Sequence, residues 1–213
     1  MKSLPKKRMT ADDRRLSLIE ATITVVARSN YDRATTAKIA KTAGVNEALI
    51  YSHFSSKKEL QLATLDYLVN FRLSIYASNP VFLPENADKS VVQALNRQYQ
   101  ERLASPDIDM FNCILKAQYA IDADIREKGF DCSLLLHHFI KSNLLEDSRR
   151  GFFDATRYNP DIIAWEILGR IMLFSTLAIN GKLDLYGRDN IETAARYFET
   201  IYLNLEPGKE SRP

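Results

Sequence analysis

The sequence predicts an all-α chain of about nine helices, with a three-helix head at the N-terminus and a larger helical body behind it. Three observations carry this. Apolar residues recur at spacings of three and four rather than two. Gly and Pro number only seven each and cluster at breaks between periodic segments. Capping patterns stand at the starts of several segments.

The elements follow in order. Helix 1 is expected over 11–28, opened by Thr10 and Asp13 as a capping box, with Leu16, Ile19, Ile23, Val26 and Ala27 as its apolar stripe. Helix 2 starts at Thr35 or Thr36 and stops before Gly44, a residue that tolerates positive φ. Helix 3 follows the capping residue Asn46 and reaches about His53. Ser56 and Glu59 form a second capping box for helix 4, which continues through Leu60, Leu65, Leu68, Phe71 and Ile75 to Asn79 and Pro80. Helix 5 is expected over 88–104. Helix 6 starts near Pro106 and carries Phe111, Ile114, Leu115, Ile121 and Ile125 until Gly129 closes it. Helix 7 covers 131–150, helix 8 covers 161–180 before Gly181, and helix 9 covers 190–205. No internal repeat is visible. The expected division is a basic arm over 1–10, a helix-turn-helix head over 11–58 with its motif at 35–54, a body over 59–205, and a disordered tail over 206–213.

Charge is distributed unevenly along the 213 residues. Residues 1–58 hold twelve Lys/Arg against five Asp/Glu, a net charge of +7, whereas the rest holds 17 against 22, a net of −5. A basic end on an acidic body suits a protein that meets phosphate with one end only. No run of about eighteen apolar residues appears, so no membrane span is expected. The basic start MKSLPKKRM lacks the apolar segment of a secretory signal. Cys113 and Cys132 show no CxxC spacing, which fits two buried thiols in a reducing, cytoplasmic setting.

The stretch TTAKIAKTAGVNEALIYSHFSSKKEL, residues 35–60, encodes two short helices joined at a tight turn by Gly44. That is the layout of a helix-turn-helix reader of double-stranded DNA. Ile50 and Phe54 are four apart and pack inward with Val45, so Ala48 and Ser52 point nearly opposite. Small residues let the helix sink into the major groove. Glu47 and Ser52 can bond base edges, and Ala48 and Leu49 can touch a thymine methyl. Tyr51, His53 and Lys57 suit phosphate contacts, as do Thr36 and Lys38 at the positive start of helix 2. Lys6, Lys7 and Arg8 fit either a minor-groove arm or a solubilising tail.

In Thr35, Thr36, Ile39, Ala40, Ala43, Gly44, Val45, Leu49 or Ile50, Tyr51, His53, Phe54, Lys57 and Leu60 this segment resembles the N-terminal domain of the TetR (tetracycline repressor) family. Arg15, Ile19 and Ala21 upstream also fit. The resemblance covers roughly residues 12–70, about a quarter of the chain. It implies that Thr36, Tyr51, His53 and Lys57 touch the DNA backbone, while Ala37, Glu47, Ala48 and Ser52 approach bases. Two features depart from the family's pattern. Asn46 stands where many members have Ser or Thr, and the turn after helix 1 reads SNYDRA. Asn46 still caps.

For the body, the resemblance implies a small-molecule site and a dimer surface. Phe71, Phe111, Leu115, Tyr119, Phe139, Trp165, Met172 and Phe174 are candidates for a pocket wall, and each also reads as an ordinary core residue. An apolar or aromatic effector is expected. The segments near 161–180 and 190–205 are expected to pair with a second copy as a four-helix interface, with Gly169, Ser175 and Ala178 allowing close approach. No metal or cofactor is expected. His137 and His138 are adjacent on a helix and point about 100° apart, and the pairs Asp107/Asp109 and Asp122/Asp124 also diverge. No nucleophile–base pattern or phosphate loop marks an enzyme. The expected function is a ligand-responsive transcriptional regulator, a repressor binding a pseudo-palindromic operator as a homodimer. The rival readings are a helical protein-interaction module and a cofactor-binding enzyme.

Overall fold

The structure is a computed structural model that describes residues 9–102 and 109–204. The expected arm residues 1–8, the start of helix 6 at Pro106, Asp107 and the tail lie outside the described residues. Ten α-helices and no strand occur among the described residues: α1 Ala11–Arg28, α2 Thr36–Ala43, α3 Glu47–Tyr51, α4 Lys57–Ala77, α5 Val91–Arg102, α6 Asp109–Ala117, α7 Ala123–Arg149, α8 Pro160–Ile179, α9 Leu183–Tyr186 and α10 Arg188–Tyr202.

The head is closed by local signals. Thr10 and Asp13 form the complete capping box of α1. Thr35 accepts from the Lys38 amide and caps α2, and Asn46 accepts from the Leu49 amide at 2.9 Å and caps α3. Gly44 ends α2 at φ 68°, a left-handed conformation that a side chain resists. The second capping box is altered. Ser56 Oγ accepts from the Glu59 amide, but the Glu59 carboxylate reaches back to the Ser55 amide, at 2.6 Å, and not to Ser56. A compact core of Leu18, Ile19, Ile39, Ile50, Phe54 and Leu60 holds the three helices. Leu18 is fully buried, whereas Leu16, expected in the α1 stripe, is exposed, so the inward face is turned from the expected one.

The body departs more from expectation. The expected helix over 106–129 is two helices. α6 ends at Ala117, and α7 begins at Ala123, capped by Asp122, whose carboxylate accepts from the amides of Asp124 and Ile125. Gly129 therefore lies inside α7 and terminates nothing. A Cβ there would meet the Ala117 Cβ at 2.7 Å and the Gln118 amide nitrogen at 2.9 Å. The glycine lets α7 cross the end of α6 at close range.

α5 starts at Val91, three residues later than expected, because its cap comes from elsewhere in the chain. Asp147 near the end of α7 accepts from Ser90 Oγ at 2.6 Å and from the amides of Val91 and Val92 at 2.6 and 3.0 Å. Burial pushes its carboxyl pKa up, and these three donors oppose the shift. Arg150 binds the backbone oxygens of Val81, Asn86 and Lys89, pinning the loop before α5.

α8 is long and apolar enough to cross a membrane by length and composition, which qualifies the expectation drawn from apolar runs. In the fold it packs on α6 and α7 through Ile163, Ala164, Ile167, Leu168 and Phe174. Its opposite face, Ile162, Trp165 and Leu173, is exposed in the single chain. Ser175 serves within the chain, buried against the Tyr99 hydroxyl at 3.2 Å, while Gly169 faces open space.

Candidate nucleic-acid interface and ligand cavity

The outer face of α3 carries the residues proposed to meet DNA. Glu47, Ala48, Tyr51 and Ser52 are exposed, with Tyr51 at 54%. Ala37, Lys38 and Asn46 are exposed beside them, and His53 and Lys57 are half-buried. Ile50 and Phe54, on the opposite side, are buried. The 3.6-residue repeat thus divides this short segment into an inward anchor and an outward face.

Several contacts hold the face still. The Arg15 guanidinium donates to the carbonyl of His53 and lies 4.1 Å from the centre of the Phe54 ring. Thr36 is buried and donates its hydroxyl to Glu47 Oε1, joining the first turns of α2 and α3. Two residues expected to touch DNA are therefore partners of each other in the free protein. Lys38 Nζ donates to the Arg33 carbonyl, and Ser52 Oγ donates to the Leu49 carbonyl, which leaves the serine oxygen able to accept.

The head is tied to the body at α4 and the α6–α7 connection. Lys58 Nζ lies 3.0 Å from an Asp122 oxygen and 2.6 Å from an Asp124 oxygen. These two carboxylates were expected to diverge. They converge because Asp122 is an extended cap residue and only Asp124 is helical. Asp32 accepts from the Ile121 amide at 3.0 Å, and Lys116 Nζ binds the carbonyls of Val26 and Ala27 at the end of α1. Lys128 pairs with Asp66 on α4. Buried between these elements are Tyr31, Cys113 and Cys132, the last with its thiol pushed up to about 12 by burial.

A cavity of about 60 Å³ lies in the body, walled by α5, α6, α7, α8 and α10. Of the residues proposed for a pocket, Phe111, Phe139 and Phe174 line it. Leu115 and Met172 are half-buried elsewhere, and Phe71 stacks on Tyr67 at 5.5 Å. Tyr119 is 78% exposed because α6 has ended two residues before it. Trp165 stacks on His137 at 4.2 Å on the outer side of α8. His137 itself is buried, with Nε2 3.0 Å from the Asp161 carbonyl, while His138 is exposed.

The polar wall residues Asn96, Gln100, Asn143 and Arg170 escaped the sequence reading. A signal for one of them was present: Arg170 is a single cation inside the run ILGRIML, where a surface role is hard to accommodate.

Comparison with known proteins bears on both regions. Residues 18–64 match the family model described as bacterial regulatory proteins, tetR family. The nucleoid occlusion factor SlmA of Marinobacter nauticus is 33% identical over 78 residues, which are 37% of this chain and 38% of that protein's own length. Among solved structures, a transcriptional regulator from Saccharomonospora viridis in complex with choline superposes with a TM-score of 0.71 at 19% identity, covering 91% of this chain and 99% of that one. The regulatory protein TetR from Rhodobacter sphaeroides gives a TM-score of 0.70 at 18% identity, covering 89% and 98%. At these identities the solved structures speak to the fold, which extends through the body. Within the helix-turn-helix head, residues 18–64 thus match the N-terminal domain of the tetR family of bacterial regulatory proteins.

Proposed function

We propose that the chain is a cytoplasmic, ligand-responsive repressor that binds a pseudo-palindromic operator as a homodimer and leaves it when a small molecule enters the body. The observation that carries the reading is the exposed, rigidly backed outer face of α3. Residues 11–58 form the DNA-reading head and residues 59–205 the effector-binding and dimerising body.

In this reading Ala37, Glu47, Ala48 and Ser52 meet base edges, and Glu47 exchanges its bond from Thr36 for one from cytosine N4. Thr36, Lys38, Asn46, Tyr51, His53 and Lys57 meet phosphates and set the register. The exposed apolar residues Ile162, Trp165 and Leu173 of α8, with Tyr197 and Ile201 of α10, are the surface that a second copy covers. Two heads then present their α3 helices to successive major grooves.

Release follows from the ties between head and body. Phe111 on α6 and Leu136 on α7 wall the cavity, and the α6–α7 connection holds Lys58 and Asp32. A ligand that widens the cavity displaces this connection and with it the head. It acts only as far as it binds the widened form better. The choline-bound relative supports a ligand site in this fold. At about 60 Å³ the cavity holds little more than ordered water, so its walls must part for any larger effector.

The test is selection of bound fragments from genomic DNA, followed by footprinting at graded salt. The expected result is a site with two related half-sites about one helical turn apart, occupied by two chains. Binding without sequence preference, or protection of a lone half-site by one chain, overturns the reading.

A further inference from the structure

A carboxylate on the face proposed to meet DNA works against binding, because phosphates repel it. Glu47 is nonetheless exposed on the outer face of α3. Its carboxylate is not left loose. Oε1 accepts from the Thr36 hydroxyl, and Thr36 is buried, with 9% of its surface exposed. Thr35, not Thr36, caps α2 by accepting from the Lys38 amide, so the Thr36 hydroxyl is committed to Glu47. Burial keeps that hydroxyl from a phosphate and leaves the Thr36 main-chain amide, in the first turn of α2, for such a contact. A carboxylate oxygen only accepts, so the groove atom that replaces Thr36 must be a donor. In the major groove cytosine offers the N4 donor. Guanine offers the acceptors O6 and N7, thymine offers the acceptor O4, and adenine sets its N6 donor beside the N7 acceptor.

We propose that Glu47 selects cytosine chiefly by exclusion, and that Thr36 is the positioning residue that sets how strict the exclusion is. This rests on the reading of α3 as the DNA-facing helix. Opposite cytosine, the carboxylate exchanges its bond from Thr36 for one from N4. Opposite guanine or thymine no donor replaces Thr36, so the carboxylate stays with it and faces acceptor atoms and phosphates at close range. The bond from Thr36 therefore acts unequally on the two cases. It is given up at cytosine and kept at guanine or thymine, so it narrows the gap between them, and its removal widens that gap.

The experiment is anisotropy titration of the full chain, at one salt concentration, on a duplex selected from genomic DNA and on its single-base-pair replacements. For the unaltered chain, one position of each half-site is expected to bind about tenfold more weakly with guanine or thymine than with cytosine. Glu47→Gln should erase that preference, chiefly by strengthening the guanine and thymine duplexes, because its amide both donates and accepts. Thr36→Val should steepen the preference by about threefold, and Thr36→Ser should leave it as it is. Combined with Glu47→Gln, Thr36→Val should no longer alter the preference. A preference that survives Glu47→Gln, or that Thr36→Val flattens or leaves unchanged in a folded variant, overturns the proposal. Glu47 is exposed, so Glu47→Gln decides the exclusion even if Thr36→Val fails to fold. A chain that selects no duplex overturns the DNA-facing reading itself, whereas a selected duplex with no such cytosine preference overturns this inference alone.

Discussion

The first turns of α3 and α5 solve one problem in two ways. α3 is capped by Asn46, three residues from the amide that it accepts from. α5 is capped by Asp147, which lies 55 residues beyond Val92 and belongs to another helix. Both satisfy amides that would otherwise lack a partner. The head closes its helices with neighbours in sequence, whereas the body closes at least this one with a residue that only the finished fold brings near. Such a cap cannot form until α7 is docked, so the body is the part whose local elements depend on tertiary structure.

That contrast can be broken most forcefully at the caps. Asp147→Ala strands Ser90 and two amides in a buried site, and should cost about 3 kcal/mol. Asn46→Ala removes one exposed cap and should cost about 1 kcal/mol. Urea melts of the two variants compare them, and equal losses would erase the distinction. The glycines offer a second comparison. Gly129→Ala drives a methyl group into Ala117 and the Gln118 backbone, for about 1–3 kcal/mol. Gly44→Ala meets open space and is penalised only by its left-handed backbone, at about 1–2 kcal/mol. Packing partners should therefore rescue the first and not the second: shortening Ala117 to Gly in the Gly129→Ala chain should restore part of the melting temperature.

Two smaller effects separate reading from holding. Lys57→Ala should lower the slope of log affinity against log salt by about one unit on every DNA sequence, measured by anisotropy, with the fold unchanged. Lys58→Ala should show itself mainly in acid. The Lys58 ammonium holds the Asp122 carboxyl below its ordinary value of 3.8. A depressed native pKa adds stability that is present above the unfolded value and is lost as pH falls through the native one. The variant should therefore melt at a less pH-dependent temperature below about pH 4, and an unchanged acid limb would place the tie elsewhere.

The head was legible because its signals are short-range. Thr10 with Asp13, Gly44, Asn46 and the Ile50–Phe54 spacing each act within five residues, and each is found where the sequence places it. The body misled for the complementary reason. Gly129 looks like a terminator until Ala117 is seen beside it. The aromatics of α6 to α8 are similar as residues, yet only some face the cavity, and which ones depends on where α6 stops. Asn143 carries no pattern that reveals its place in the cavity wall, and the isolation of Arg170 within an apolar run is a hint for that residue alone. Nor does the sequence reveal that Thr36 and Glu47 bond to each other, since that depends on the angle between two helices.

The Arg15 grip has one further consequence. It grasps His53 by its main-chain oxygen, and Asn46 likewise grasps the Leu49 backbone, so the scaffold under α3 does not depend on which side chains decorate the outer face. If α3 reads DNA as proposed, positions 48, 51, 52 and 53 are then free to be rewritten, and the vocabulary of the reader is able to drift without eroding its grammar. Glu47, fastened through its own carboxylate, is the letter that such drift would change last.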